Sequence, residues 1–320
     1  MAKYLCIFTI MIGTVTKSTG SNYLVKLESG KIIGCKLKGK IRLDDRKTTN
    51  PVTVGDKVDI ELENEDEGMI TNIHVRKNYI IRKSINLSKQ AHIIASNLDQ
   101  AVLIATLVEP RTSLGFVDRF LITAEAYSIP AIIIFNKCDN LNADLLALQK
   151  EIIHIYENIG YPCYQISSFK ASDIEAIKPL FKGKTTLISG HSGVGKSSFI
   201  NALQPSLKIK TGIISAAHAK GTHTTTFAEL YHLDFGADII DTPGIKELGL
   251  VEMKKEEVGH YFPEIRKLMN ACKFNNCLHV NEPACAVREA FEAGTISPER
   301  YESYLKILDG EEMDWNAWEI

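Results

Sequence analysis

The feature that most constrains this chain is a glycine-rich loop, GHSGVGKS, together with the segments on either side of it. The loop fits the pattern GxxxxGK(S/T), follows the apolar run TTLIS and precedes the helical SFINAL, which is the strand, loop and helix setting of a P-loop. Glycines let successive backbone N–H groups turn toward phosphate oxygens, and the helix N-terminus adds its dipole. The sequence therefore predicts an α/β domain that binds a nucleotide, with Lys196 against the β- and γ-phosphates and Ser197 as a Mg²⁺ ligand.

Two further motifs complete the expected phosphate side of this site. In DTPG, Asp241 follows the apolar run ADII, so the carboxylate can reach Mg²⁺ directly or through water, and Gly244 can offer a backbone N–H to the γ-phosphate. In GTHTTT, the hydroxyl of Thr225 is predicted to complete the Mg²⁺ shell in the GTP state.

The tetrad NKCD indicates which base is bound. Asp139 can accept the N1–H and the 2-amino group of guanine, whereas adenine offers neither donor, so the tetrad favours GTP over ATP. Asn136 and Lys137 would brace the base and the phosphate loop. The later QISS ends the next strand, where Ser167 and Ser168 are expected to hold guanine O6 through the backbone.

The order of these motifs is unusual, because NKCD precedes the P-loop instead of following it. Either NKCD is an accident or the domain is circularly permuted. A doubly wound sheet places its ligand loops at strand ends irrespective of chain order, so rejoining the old termini leaves the site intact. Each motif here ends an apolar run, which favours permutation.

The pattern of apolar and polar residues changes twice along the chain. Residues 11–83 contain about five short β-rich pieces, which predict a small closed barrel of the oligonucleotide/oligosaccharide-binding (OB) kind. A basic stretch over residues 31–47 indicates either solvated strand faces or RNA contact. Apolar runs alternating with amphipathic helices then predict a parallel α/β sheet, and the chain after about residue 250 is helical and charged. We therefore expect three domains: an RNA-binding OB-fold β-barrel (1–83), a circularly permuted α/β P-loop GTPase domain (84–250) and a helical zinc-binding domain (251–320).

The zinc prediction rests on the pattern CxxxxCxHxxxxxC. Its three thiols and one imidazole, at Cys272, Cys277, His279 and Cys285, can close a tetrahedron around Zn²⁺ and leave no position for water, which is typical of a structural site. Seven cysteines, an odd number with one cluster, do not form a disulfide framework and indicate a reducing compartment.

Composition sets broader limits. The chain has 320 residues, of which 45% are hydrophobic and 24% charged, enough for several cores. A net charge of −2 argues against a uniformly basic coat, so any RNA contact must be local. Residues 1–10 lack the pattern of a signal peptide, either Met1 or Met11 can be the start, and no run is long enough to span a membrane. A cytoplasmic location is expected.

In their order along the chain, these features resemble the circularly permuted ribosome small subunit-dependent GTPase A family. That resemblance implies a protein that contacts ribosomal RNA through the barrel and the zinc module, and hydrolyses GTP late in small-subunit maturation when the subunit stimulates it. We expect it to be a monomer. It implies guanine binding by the tetrad, Asn136, Lys137, Cys138 and Asp139. It implies phosphate binding by Gly190, His191, Ser192, Gly193, Val194, Gly195, Lys196, Ser197 and Ser198, and zinc at the four Cys/His positions.

Catalysis departs from the pattern of Ras-like enzymes, because Ile245 stands where they place a glutamine that orients water. Slow intrinsic hydrolysis is expected. The sequence does not assign the water-orienting role of that glutamine to His191, His223 or Glu252. Two alternatives follow: a GTP-gated RNA-binding module whose turnover is incidental, and a P-loop ATPase or kinase with an accidental NKxD.

Overall fold

The computed structural model describes residues 10–39, 51–83, 91–209, 228–241 and 253–310. The strands are β1 (Ile10–Thr19), β2 (Asn22–Leu27), β3 (Ile32–Leu37), β4 (Lys57–Leu62), β5 (Glu67–Ile73), β6 (Tyr79–Lys83), β7 (Ala91–Ser96), β8 (Gln100–Ala105), β9 (Ala131–Phe135), β10 (Cys163–Gln165), β11 (Thr185–Ser189), β12 (Glu229–Leu233) and β13 (Ala237–Asp241). The α-helices are α1 (Leu114–Ala126), α2 (Ala143–Ile159), α3 (Ala171–Ile177), α4 (Lys196–Leu203), α5 (Lys255–Val258), α6 (Pro263–Arg266), α7 (Ala286–Glu292) and α8 (Pro298–Asp309).

The chain divides into two compact units. The first comprises Met1–Gln100, Pro179–Ile188 and Ser215–Gly249, and the second comprises Ala101–Lys178, Ser189–Ile214 and Leu250–Ile320.

The first unit contains a closed five-stranded barrel. Strand β1 pairs with β2 and β4, β2 pairs with β3, and β4 pairs with β5, all antiparallel, while β3 pairs with β5 in parallel. This closure confirms the predicted OB fold. Alternate residues point inward, so Val15, Val25, Ile33, Ile60 and Ile70 are at most 1% exposed and form its core.

The same unit continues beyond the barrel. Strand β1 also pairs antiparallel with β12, where Lys17 opposes Glu229, and β12 is followed by β13 and then by β11, which is parallel to β13. The β6–β7 hairpin is fastened by Asp56, a fully buried carboxylate that accepts two bonds of 2.7 Å from Arg76 and one of 2.6 Å from Ser96. The predicted boundary after residue 83 falls between the two strands of this hairpin.

The second unit carries three parallel strands in the order β10, β9, β8. Every residue of β8 and β9 is buried, as expected of parallel strands in an α/β layer. The helix α2 begins after Asn142, whose side chain accepts from the Leu145 N–H, and ends at Gly160 in the left-handed conformation. Helices α3 and α4 pack on each other.

A helical module, residues 253–310, closes the second unit. Its core contains Val258, Phe262, Ile265 and Tyr304, and it also includes Ile122 of α1. The last helix, α8, is capped by Ser297 and begins at Pro298, and Gly310 in the left-handed conformation ends it.

The architecture confirms the predicted OB barrel, α/β domain and C-terminal Cys/His module. Two features escaped sequence reasoning, the β6–β7 hairpin and β12, because their strands are only five or six residues long and have no motif at their ends. Within the described ranges, none of the helices combines the length and hydropathy needed to cross a bilayer.

Candidate guanine nucleotide site and metal centre

The predicted P-loop joins β11 to α4, so it lies where a strand ends and a helix begins. The ammonium of Lys196 lies 2.6 Å from the carbonyl oxygen of Gly190 and 2.8 Å from that of His191, and donates to both. The Lys196 ammonium group is thus hydrogen-bonded to the first two residues of the P-loop. An incoming phosphate is a stronger acceptor for this charge than the two carbonyls, so the lysine is in place to meet it.

Two glycines of this loop are required by their surroundings. At Gly190 a Cβ atom would lie 2.3 Å from the carbonyl oxygen of Ile104, and at Gly195 it would lie 2.5 Å from Nδ2 of Asn136. Both residues also have positive φ, +145° and +95°. Any side chain there would force the phosphate loop away from the strands that support it.

Asn136 connects the base-reading tetrad to the other two loops. Its Nδ2 donates to the Val194 carbonyl at 2.9 Å, and its Oδ1 accepts from the Ser168 N–H at 3.0 Å and from the Ser168 hydroxyl at 2.9 Å. The side chain is 2% exposed, so these bonds form away from water. Asn136 therefore fixes the phosphate loop and the QISS loop to the tetrad, the bracing role that the motif predicts.

The rest of the tetrad follows a sharp change of direction. Lys137 adopts a left-handed backbone, with φ of +62°, and its ammonium donates to the Glu109 carbonyl. The Cys138 N–H donates to the Ile166 carbonyl at 3.1 Å, and its thiol donates to Oε1 of Gln149 at 3.4 Å. Asp139 is exposed.

His191 has a partner on α1. Its ring lies against that of Phe116, with the two centroids 3.8 Å apart. This contact places the P-loop histidine beside the start of α1.

Two of the predicted Mg²⁺ ligands, Asp241 and Ser197, are among the described residues. Asp241 ends β13 in the first unit, is 9% exposed and opposes Ile188 of β11, two residues before Gly190. Its carboxylate and the Ser197 hydroxyl are hard oxygen donors of the kind that Mg²⁺ prefers. Thr225, Gly244, Ile245, His223 and Glu252 lie outside the described residues, as does part of the basic stretch.

The four predicted zinc ligands lie together in the second unit. The ligand atoms of Cys272, Cys277, His279 and Cys285 are all within 4.8 Å of one another. The Sγ atoms of Cys272 and Cys285 are 3.9 Å apart, and they lie 3.6 and 3.4 Å from Nδ1 of His279. A tetrahedron with Zn–S bonds of about 2.3 Å has edges of about 3.8 Å, so this cluster could hold a metal ion of that size.

The chemistry of the cluster also fits a cation. Burial lowers the pKa of His279, which keeps the imidazole neutral and able to ligate. Burial and the neighbouring thiols raise the pKa of Cys277 to about 12. A bound cation would oppose this effect and favour the thiolate of Cys277.

The residues that shape this knuckle were not predicted. Glu282 accepts from the backbone N–H groups of Leu278, Val280 and Asn281 at 2.6, 2.8 and 3.1 Å. On α8, Tyr301 donates to the carbonyl of His279 at 2.6 Å, and Tyr304 to that of Leu278 at 2.7 Å. The signal was available in part, since two tyrosines three apart on a helix share one face.

A buried ionic cluster also escaped sequence reasoning. Arg300 of α8 donates to Asp118 of α1 at 2.6 Å and to Glu264 of α6 at 2.7 Å, and its side chain is 1% exposed. Burial opposes the charge of Arg300, but the two carboxylates outweigh it and raise the pKa of the guanidinium. Tyr156 of α2 donates its hydroxyl to Asp118 at 2.9 Å. Arg300 of α8 therefore links α1 and α6, and Tyr156 of α2 joins the cluster through Asp118.

An OB barrel, a P-loop and a guanine tetrad that precedes it define a circularly permuted GTPase. The family described as RsgA GTPase matches residues 73–251, and the RsgA N-terminal domain matches residues 12–70. The chain belongs to the RsgA GTPase family.

Relatives match over almost the whole chain. The small ribosomal subunit biogenesis GTPase RsgA of Flavobacterium johnsoniae is 55% identical over 310 residues, which cover 96% of this chain and 95% of that protein. The protein named small ribosomal subunit biogenesis GTPase RsgA 2 in Bacteroides thetaiotaomicron is 53% identical over 302 residues, covering 94% and 97%.

Solved structures share the fold. The crystal structure of YjeQ from Thermotoga maritima has a TM-score of 0.78 and 35% identity, and the match covers 94% of this chain and 98% of that one. YloQ, described as a circularly permuted GTPase, has a TM-score of 0.73 and 33% identity, and covers 97% of each chain. The predicted permutation is thus confirmed, and the chain is a GTPase.

Proposed function

We propose that this GTPase acts in late maturation of the small ribosomal subunit, where it binds the subunit's rRNA and the subunit stimulates GTP hydrolysis. The relatives named above carry subunit biogenesis in their names. The single observation that carries the proposal of GTP binding is the set of hydrogen bonds made by Asn136, which join the tetrad to the QISS loop and to the P-loop. Such bonds are needed to hold the loops that bind guanine and its phosphates in fixed relative positions.

The proposed roles divide between base and phosphate. Asp139 would accept from N1–H and the 2-amino group of guanine, and Asn136, Lys137, Cys138, Ser167 and Ser168 would form the rest of the base site. In the present structure the Ser168 N–H is donated to Asn136, so contact of this N–H with guanine O6 would require it to be shared. The P-loop residues Gly190 to Ser198 would surround the phosphates, with Lys196 neutralising charge that develops between the β- and γ-phosphates.

Mg²⁺ is the expected partner of the triphosphate. Ser197, Thr225 and Asp241 would hold it, and Gly244 would donate its N–H to the γ-phosphate. When bound, Mg²⁺ neutralises charge on the β- and γ-phosphate oxygens. Because Ile245 cannot orient water, hydrolysis by the free protein would be slow, and contact with the subunit would supply the missing order.

The remaining assignments concern organisation. The proposed domains are 1–83, 84–250 and 251–320, with the β6–β7 hairpin as the joint between the first two. Zn²⁺ would be structural, one ion on Cys272, Cys277, His279 and Cys285, since all four positions are taken by protein ligands. We expect a cytoplasmic monomer. Its contacts with RNA would be confined to local patches, because the net charge of the chain is only −2.

The proposal is tested by single-turnover GTP hydrolysis with and without purified small ribosomal subunits. Subunits should accelerate hydrolysis by the wild type, and Asp139→Asn should remove the acceleration at limiting GTP while conferring use of xanthosine triphosphate. Asp144→Asn is the matched control, because Asp144 is an exposed carboxylate in the first turn of α2 and should behave as wild type.

Two other outcomes would replace the proposal. GTP-dependent binding to subunits without any acceleration would favour the GTP-gated RNA-binding module, which the isoleucine at position 245 also favours. Preferential tight binding of ATP would establish a P-loop ATPase or kinase.

A further inference from the structure

One aromatic side chain close in sequence to the proposed guanine site is almost fully exposed to solvent. Phe169 is 85% exposed, whereas the two residues before it, Ser167 and Ser168, are 4% and 9% exposed. A phenyl ring buries a large apolar area when it finds a partner, and leaving it in water forgoes that gain. A ring held in this state next to a ligand site is therefore a candidate for contact with the ligand.

The loop that carries the ring is tightly fastened. The Ser167 N–H donates to Asp173 at 3.0 Å, and the Lys170 N–H donates back to the Ser167 carbonyl at 3.0 Å. The Phe169 N–H lies 3.3 Å from the Ser167 hydroxyl oxygen and donates to it. Phe169 thus occupies the third position of a hydrogen-bonded turn that opens onto α3. Its backbone is fixed before any ligand arrives, so little ordering entropy is lost when the ring makes a contact.

The turn is also joined directly to the guanine tetrad. Ser168, one residue before the ring, donates twice to Asn136, and the Cys138 N–H donates to Ile166 at 3.1 Å. Adjacent Cα atoms are about 3.8 Å apart, so the Cα atom of Phe169 lies about 3.8 Å from that of Ser168, the residue that is bonded to the tetrad. On the tetrad itself Asp139 is exposed and can read the edge of a base.

We propose that Phe169 stacks on the face of the guanine base and so positions it for Asp139. An edge-reading carboxylate fixes the base in one plane, and a flat aromatic surface supplies the second restraint by covering that plane. Stacking depends on the π-face that all bases share, so Phe169 would contribute affinity and orientation, while Asp139 alone would choose guanine. This inference rests on the guanine site proposed above and adds a positioning residue to it.

The first measurement is the dissociation constant of GDP, by calorimetry, for the wild type, Phe169→Ala and Phe169→Tyr. We expect Phe169→Ala to weaken GDP binding about tenfold, chiefly through faster dissociation, and Phe169→Tyr to stay within about twofold of the wild type. Val75→Ala is the matched control: Val75 is an apolar residue 98% exposed, outside the guanine site, and its loss should leave GDP binding unchanged.

A second measurement separates stacking from edge reading. In an Asp139→Asn background, Phe169→Ala should weaken the binding of xanthosine diphosphate. The factor should equal that by which Phe169→Ala weakens GDP binding in the protein that keeps Asp139. A different readout is hydrolysis at saturating GTP with small subunits, where Phe169→Ala should keep the wild-type rate constant and raise only the KM.

The outcomes are distinguishable. Unchanged GDP affinity in Phe169→Ala overturns the stacking role, and the same result combined with lost stimulation by the subunit would make the ring a docking contact for the subunit. If instead Asp139→Asn fails to gain affinity for xanthosine nucleotides, the guanine site itself is misassigned and the stacking role falls with it.

Discussion

The N-terminal barrel and the C-terminal helical module maintain their folds by different means. The barrel closes on itself through five strands whose pairings link distant parts of the chain, around a core of apolar side chains such as Val25, Ile33 and Ile60. The module has two helices of only four residues, α5 and α6, and one of seven, α7. It relies on cross-links: the Cys/His cluster, and Arg300 between Asp118 and Glu264.

Helix physics explains the contrast. Forming the first turn of a helix is unfavourable, so helices of four residues are unstable unless tertiary contacts hold them. A barrel avoids this problem because each strand is bonded on both sides. The module adds to its apolar core a buried ionic cluster and a Cys/His cluster that could hold a metal ion. Each cluster contributes much when complete and costs much when one member is missing.

The largest effect should come from the metal ligands. Cys285→Ser, or removal of metal by a chelator, should abolish protection of residues 253–310 from hydrogen exchange and leave the barrel protected, because metal binding by such sites contributes about 10–16 kcal/mol to folding. Cys163→Ser is the control, since Cys163 is a half-buried thiol outside the cluster and its hydroxyl substitute should leave metal content unchanged. A Cys285→Ser module as protected as the wild type would contradict the cross-link account.

Arg300→Met should give the next largest loss. The substitution strands Asp118 and Glu264 in the interior without a cation, which costs about 3–5 kcal/mol in buried pairs. The matched control is Arg266→Met, because Arg266 pairs with Glu125 at 3.0 Å but its side chain is 49% exposed, and exposed pairs contribute under about 1 kcal/mol. Urea denaturation of metal-saturated protein measures both. Equal losses in the two variants would show that the buried cluster has no special weight.

The two regions also differ in how far the sequence could predict them. The P-loop, the tetrad and the Cys/His pattern are local spacings, and their chemistry requires those residue types in that order. Alternation likewise predicts barrel strands, and the Ser297 and Gly310 signals predict both ends of α8. These features could be found because neighbours in the sequence are neighbours in space.

The missed features are contacts between distant positions. Arg300 and Asp118 are separated by 182 positions, and Arg300 alone resembles any charged residue on an amphipathic helix. The parallel pairing of β3 with β5, which closes the barrel, has no signature in either strand. Phe169 was passed over for a different reason: its exposure is visible only in the structure, and an apolar residue after a serine pair has no motif.

The smallest predicted effect sharpens the contrast from the side of the barrel. Ile60→Val removes one methylene from a fully buried position of an apolar core and should cost about 0.5–1.5 kcal/mol, because the surrounding side chains can partly close the gap. If barrel and module are stabilised by separate means, this loss should be the same before and after metal is removed. The measurement is the urea midpoint of the barrel, followed by hydrogen exchange of β1 to β5 in both conditions. A loss that grows on chelation would show that the module's cross-links also support the barrel, and the difference between the two regions would then be one of degree.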